Sequence, residues 1–258
     1  KTMSELKHLK IEKADGMARI TFARPKHNVL NIEMMEELNR ELEGLVADND
    51  LKGMVLYGEG PSWCAGVEVS DHKPEMAPEM IAAFNRIFEL IDKLEVPTIA
   101  AVHGACLGGG MEVAIACDII IAGKSAIFGQ PEIKLGFLPP YAAIRLPHLV
   151  GSSKAIEICT TGKRYTAEEV QQMGMVAYAV EDDQFIEAVD KIVEEIQACS
   201  PLIIRLNKQA VKQHLGMHFP QALQGVSDLF LNKLMKTQDV LEGIASFEEK
   251  RKPVWKNK

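Results

Sequence analysis

Val102-His-Gly-Ala-Cys-Leu-Gly-Gly-Gly-Met-Glu112, followed by Gln130-Pro-Glu132, is the stretch that decides how this chain folds and what it can do. It reads as the end of a strand, a tight loop and the head of a helix. Three successive glycines let a backbone approach a ligand closely and present bare N–H groups to it. Glu112 falls in the first helical turn, facing whatever those groups hold, and Glu132 lies at the end of the next strand. Oxyanion donors combined with two acids make a site able to form and protonate an enolate.

The chain has 258 residues, 47% of them hydrophobic and 25% charged. These values fit one large α/β domain, or one domain with a helical appendage. No apolar run approaches the roughly 20 residues that span a bilayer, and Lys1-Thr-Met-Ser-Glu-Leu lacks the apolar core of a signal peptide. The five cysteines (Cys64, Cys106, Cys117, Cys159 and Cys199) are scattered and set mostly in apolar stretches. They read as buried thiols of a reducing cytoplasm rather than as disulfides. A net charge of −7 argues against nucleic acid as a partner, while local Lys and Arg can still hold an anionic ligand.

Around the motif, residues 8–22 alternate as a strand pair turning at Ala14-Asp-Gly16. Asn31 is an N-cap for a helix with Met34, Met35, Leu38, Leu42 and Leu45 at helical spacing. Residues 53–57 form a buried strand that leads into the loop Gly58-Glu-Gly-Pro-Ser-Trp-Cys-Ala-Gly66. Residues 78–94 read as an amphipathic helix, and 97–102, 117–122 and 126–129 as strands. Helices follow at 152–161 and from Thr166, then a strand over 175–180. From Asp183 the pattern is helical only, with a joint at Ser200-Pro201. The organisation is an α/β core over residues 1–199 and a helical region over 200–258, amphipathic yet thin for a core of its own.

Glycine triplets also serve plain helix–strand packing, so this one alone is evenly balanced between structure and function. No Gly-Lys-Ser/Thr follows it, which excludes a phosphate-binding P-loop, and the spacing is not that of a dinucleotide fingerprint. Its pairing with Trp63-Cys-Ala-Gly66 tips the balance. Ala65 and Gly109 can each offer one N–H to a single oxygen, an arrangement worth a few kcal/mol in a transition state. An acid heading the apolar run Val113-Ala-Ile-Ala-Cys117 needs a partner or a task. Burial raises its pKa while the helix dipole lowers it, so the protonation state stays open. No Cys/His spacing suggests a metal.

These residues, in this order, resemble the crotonase (enoyl-CoA hydratase/isomerase) superfamily over essentially the whole chain. The resemblance is carried by Arg24-Pro-Lys-His-Asn28-Val-Leu-Asn31, Cys64-Ala-Gly66, Gly104 to Glu112, Cys117-Asp118, Phe128-Gly-Gln-Pro-Glu132 with Leu135-Gly136, Thr161-Gly162 and Phe247-Glu-Glu-Lys-Arg-Lys252. It implies a spiral of ββα turns with a helical C-terminal trimerisation region, and a homotrimer or dimer of trimers. It makes Ala65 and Gly109 the oxyanion-hole amides for a thioester carbonyl, and Glu112 and Glu132 the acid/base pair. Phe247 and Lys250 would help hold the CoA of a neighbouring subunit, with Lys26 on a CoA phosphate. Coenzyme A enters as part of the substrate, and no separate cofactor is implied.

Having both glutamates favours hydration or dehydration, since isomerases of the family commonly retain only the position of Glu132. The departure lies at Gly136-Phe-Leu-Pro-Pro-Tyr-Ala-Ala-Ile-Arg-Leu146, where ordinary hydratases carry a glycine-rich loop. A stiffer, more apolar wall suits a bulky acyl group; neutral loop drift would look the same. With Asn28-Val-Leu-Asn-Ile and Cys64-Ala-Gly-Val-Glu-Val-Ser-Asp-His72, this segment resembles the cyclohexa-1,5-diene-1-carbonyl-CoA hydratases of anaerobic benzoyl-CoA degradation. There, water adds β to the thioester and protonation at the far end of the dienolate gives 6-hydroxycyclohex-1-ene-1-carbonyl-CoA. In one assignment Glu132 deprotonates the water and Glu112 shares it or returns the proton; the order is open. Trp63, Met111, Phe137 and Tyr141 are candidates for the acyl pocket, and His72 for its edge, though such residues serve equally as plain core or surface. The alternatives are a general short-chain enoyl-CoA hydratase and an enoyl-CoA isomerase. The acidic balance and the paired glutamates argue against a non-enzymatic RNA-binding member.

Overall fold

The computed structural model describes residues 6–213 and 215–258. Lys1–Glu5, which carry most of the stretch examined for a leader, lie outside the described residues. An antiparallel hairpin, β1 (Leu9–Ala14) and β2 (Met17–Phe22), opens the chain and turns at Asp15-Gly16. Helix α1 (Ile32–Val46) follows, capped by the Asn31 side chain, which accepts from Met34 N.

Three turns of one unit come next. In each, a strand enters one sheet, a second strand enters another, and the chain returns through a helix. The first is β3 (Gly53–Gly58), β4 (Ser62–Cys64) and α2 (Ala77–Lys93). The second is β5 (Thr98–Val102), β6 (Ala105–Leu107) and α3 (Gly109–Ala116). The third is β7 (Ile119–Gly123), β8 (Ile127–Gly129) and α4 (Pro140–Val150). After α5 (Ser152–Thr161), β9 (Arg164–Thr166), α6 (Ala167–Gln172) and β10 (Tyr178–Val180), the rest is helical: α7 (Phe185–Gln197), α8 (Pro201–Lys212), α9 (Phe219–Asn232) and α10 (Gln238–Glu248).

The larger sheet runs β1-β2-β3-β5-β7-β10 and the smaller β4-β6-β8-β9. Beyond the first hairpin and the β8–β9 pair, every pairing is parallel. Parallel neighbours require crossover helices, so each turn advances one strand in both sheets and the path is a spiral. This is the crotonase-type α/β spiral expected from the sequence.

Three details differ from the expectation. Residues 175–180 pair as a strand only over Tyr178–Val180, Met175 and Val176 being buried ahead of it. The segment read as a loop wall is helical from Pro140, where a proline at the first helical position needs no N–H partner. Trp63, a candidate pocket wall, is fully buried in the main core. Its ring meets Phe22 edge-on at 5.1 Å and its Nε1 donates to the Leu56 carbonyl at 3.2 Å.

Helix α7 packs on the larger sheet through a second buried cluster, Phe185, Val189 and Val193 against Val55, Ile99 and Ile121, and the helices after it are held by polar contacts as well. Lys208 Nζ donates to Asp118 (2.6 Å) and to the Val96 carbonyl (2.7 Å), while Asp118 also accepts from Thr98 N and Oγ1. Asp239, fully buried, accepts from Ser200 Oγ and from the Lys256 and Asn257 amides. Helices α9 and α10 leave Phe219, Leu223, Leu231, Leu241 and Phe247 exposed. Among the described residues no helix is long and apolar enough to cross a membrane.

Because Trp63 is core rather than wall, Trp63→Ala should cost about 3–5 kcal/mol of folding free energy by urea denaturation. A stability within about 1 kcal/mol of wild type, with an altered substrate KM, would return the residue to the pocket.

Candidate active site

The head of α3 is the centre of the site. Its first N–H groups have no carbonyl one turn back and carry the positive end of the helix dipole. Each glycine of the triplet is required by a different neighbour. A Cβ on Gly108, whose φ is +54°, would lie 2.6 Å from Glu132 Oε1. One on Gly109 would meet Val67 Cγ2 at 2.4 Å, and one on Gly110 the Cys64 carbonyl oxygen at 2.3 Å. The triplet therefore wedges α3 between the β4 loop and the turn bearing Glu132. Both packing and ligand access explain its presence.

Glu112 is only 2% exposed. Its Oε1 accepts from the Tyr141 and Ala142 amides at 2.7 and 2.8 Å, so a side chain of α3 serves as the cap of α4. Pro139 and Pro140 bring no N–H to this end, leaving those two amides to find an outside acceptor. Burial pushes the Glu112 carboxyl up to about 7; the two amides oppose that rise and the nearby Glu132 charge adds to it.

Glu132 is the second residue of a single helical turn, Pro131–Leu135, and is half-buried. Its carboxylate faces the Gln130 side chain, which is fully buried. With the amide nitrogen turned toward it, as the surrounding donors and acceptors require, Gln130 donates to both oxygens at 2.9 and 3.0 Å. Burial again pushes this carboxyl up to about 7.

Both carboxyls open into one cleft of about 360 Å³. Its floor is Ala65, Gly66, Gly108 and Gly109, and its walls are apolar: Val67, Met80, Ile81 and Phe84 on one side, Leu135, Phe137, Leu138 and Pro140 on the other. The structure thus brings together Glu112, Glu132, Ala65, Gly109, Phe137 and His72. Cys64 adjoins the floor, but burial pushes its thiol up to about 12, which excludes it as a nucleophile.

Other expected residues sit elsewhere. Met111, like Trp63, is fully buried behind the cleft. Tyr141 stacks on Phe88 at 3.9 Å with nearly parallel rings, and contributes its amide to Glu112 rather than its ring to the wall. Ile144 is exposed, so of the segment Gly136 to Leu146 only Phe137, Leu138 and Pro140 reach the cleft, with Leu135 just ahead of them. Lys26 lies in a separate groove with Lys7, Lys10 and Asn28. Phe247 is 86% exposed on α10, and no described residue after Pro140 lines the cleft, so Phe247 and Lys250 do not join the site of their own chain. The Ala65 amide donates to the His27 carbonyl at 3.0 Å. That hydrogen, expected to be offered to a substrate oxygen, therefore already has an acceptor within the chain.

Gln130 and the α2 wall were not singled out in the sequence reading. A glutamine two residues before a site carboxylate was the available signal for the first. For the second it was the inward face of an amphipathic helix, which looks like any core face.

An anion-favouring helix end, two protonatable carboxyls and an apolar cleft define a class: enzymes that polarise a carbonyl and move protons at the carbons beside it. The comparisons agree. The chain belongs to the enoyl-CoA hydratase/isomerase family, whose model matches residues 12–258. It is 34% identical over 255 residues to a short-chain-enoyl-CoA hydratase of Clostridium acetobutylicum, covering 96% of this chain and 97% of that protein. It is 31% identical over 249 residues to a cyclohexa-1,5-dienecarbonyl-CoA hydratase of Thauera aromatica, covering 96% of each. The crystal structure of an enoyl-CoA hydratase from Bacillus anthracis superposes with a TM-score of 0.89 at 29% identity, covering 98% of this chain and all of that one.

Carboxyls whose pKa rises on folding stabilise the protein at low pH and lose that contribution as pH climbs from about 4.5 to about 7. Glu112→Gln and Glu132→Gln should therefore be more stable than wild type at about pH 8 and lose this advantage below about pH 4.5, in urea unfolding at both. A pH-independent difference would mean that the carboxyls are ordinarily solvated.

Proposed function

We propose that this protein hydrates an α,β-unsaturated acyl-CoA thioester, with Glu112 and Glu132 as its acid/base pair. The observation that carries the reading is that both carboxyls enter one cleft beside the bare amides of α3, each with a pKa near neutrality. A thioester oxygen at Gly109, sharing the Ala65 amide, would gain negative charge as water attacks the β carbon. One glutamate takes a proton from the water while the other delivers a proton to the enolate, and near-neutral pKa values suit both transfers. The pinned Oε1 of Glu112 leaves Oε2 as its working oxygen.

Within that chemistry we favour cyclohexa-1,5-diene-1-carbonyl-CoA as substrate. Water would add at the ring carbon β to the thioester and the proton would enter at the far end of the dienolate, giving 6-hydroxycyclohex-1-ene-1-carbonyl-CoA. The flat apolar wall at Phe137 and Pro140 and the Thauera relative support this. The slightly higher identity to the Clostridium relative equally supports a short linear enoyl-CoA, which is the second reading. The exposed apolar faces of α9 and α10 favour a homo-oligomer, a trimer or a dimer of trimers. In it Phe247 and Lys250 would meet a neighbour's CoA, and Lys26 the phosphates of its own.

The test offers crotonyl-CoA and cyclohexa-1,5-diene-1-carbonyl-CoA side by side, with products identified by mass. A higher kcat/KM for the cyclic diene is expected, and a preference for crotonyl-CoA would select the linear reading. Glu112→Gln and Glu132→Gln should each lower kcat by about 10²–10⁴-fold with little change in KM. Wild-type rates in either variant would remove that residue from the chemistry.

A further inference from the structure

Two rings from opposite sides of the cleft touch. His72 closes the short turn Val69–His72 that follows the oxyanion loop, and Phe137 lies just beyond the turn bearing Glu132. Their centroids are 4.7 Å apart at 38°, and both rings line the cleft. Apart from Glu112 and Glu132, His72 is the one polar side chain among the described lining residues.

The His72 ring and the backbone that carries Phe137 are both held. His72 Nδ1 lies 3.0 Å from the Glu68 carbonyl, which makes Nδ1–H the donor and fixes the ring plane. The same turn is pinned to the head of α1 by Asp71, which accepts from Ile32 N at 3.0 Å, and Glu68 is paired with Arg24 at 3.2 Å. On the other side, Phe137 N donates to the Glu132 carbonyl at 3.0 Å, after Gly136 turns the chain at φ +82°. The contact therefore joins two anchored loops, and the His72 ring cannot turn away without breaking its bond to the Glu68 carbonyl.

We propose that the His72–Phe137 contact is the acyl-length filter of this site. It closes the gap between the two turns to an extended acyl chain and offers a compact acyl group a flat face. The filter rests on the acyl-CoA reading but not on which enoyl thioester is hydrated. A long chain would have to part the rings, so its extra methylenes would gain little of the affinity that added methylenes bring in an open apolar pocket.

Titration calorimetry with butyryl-CoA and octanoyl-CoA, neither of which can be hydrated, tests this without turnover. Wild type should bind octanoyl-CoA no more than about threefold tighter than butyryl-CoA. Phe137→Ala and His72→Ala should each raise the octanoyl-to-butyryl preference by about tenfold, and Phe137→Tyr, which keeps the ring, should leave it as in wild type. Both positions are at the rim, and a urea unfolding midpoint close to that of wild type is the control for folding. A wild-type octanoyl preference of about tenfold or more, or alanine variants within about threefold of wild type, would overturn the filter. If wild type bound neither thioester, the acyl-CoA reading would fall, and the filter with it.

Discussion

A carboxylate as buried as Glu112 is destabilising unless something in the fold answers it, and here the answer is the head of α4. The two amides that receive Glu112 Oε1 are the ones an α-helix beginning Pro139-Pro140 cannot satisfy by itself. One contact thus removes two liabilities, an uncompensated acid and an uncapped helix. It also ties the second turn of the spiral to the third, which sets the walls of the cleft relative to its floor. The position of Glu132, the line of the apolar wall and the stack of Tyr141 on Phe88 all depend on α4 being held there.

Around that contact the electrostatics are poised. Desolvation raises both carboxyls, while the α4 amides for one and its own main-chain amide for the other keep the charged forms within reach. Among the described residues no lysine or arginine lines the cleft beside either acid. A lysine or arginine there would hold one glutamate permanently ionised and spoil it as a proton donor. The head of α3 brings a positive influence to the reacting region, one that favours charge on a substrate oxygen without competing for the protons.

Much of this was legible in the sequence because it rests on local rules. Asn31 at the head of α1 and the turn at Asp15-Gly16 each have one physical reading strong enough to survive folding, and the glycine triplet, evenly balanced by itself, took its reading from its pairing with Cys64-Ala-Gly66. What escaped was set by tertiary context. Strands β4, β6, β8 and β9, which form the second sheet, have three residues each, too few to show an alternating pattern, so the spiral itself came from resemblance rather than periodicity. Two prolines disguised the start of α4. Trp63 and Met111 sit beside the functional motifs in sequence but face away from the cleft, because successive residues on a strand or helix head point in different directions.

The cap on α4 is read through the main chain alone. Glu112 recognises amides, not the side chains of Tyr141 and Ala142, so the bond itself sets no side-chain requirement there, although Ala142 lies fully buried in the core and has room only for a small residue. For the bond the exception is proline, which would delete the donor. Just upstream, at Pro139 and Pro140, no donor is used and proline is free to accumulate. The segment facing the acyl group can thus be rewritten over evolutionary time while the acid beneath it stays in register, so one catalytic floor can be fitted with many different walls.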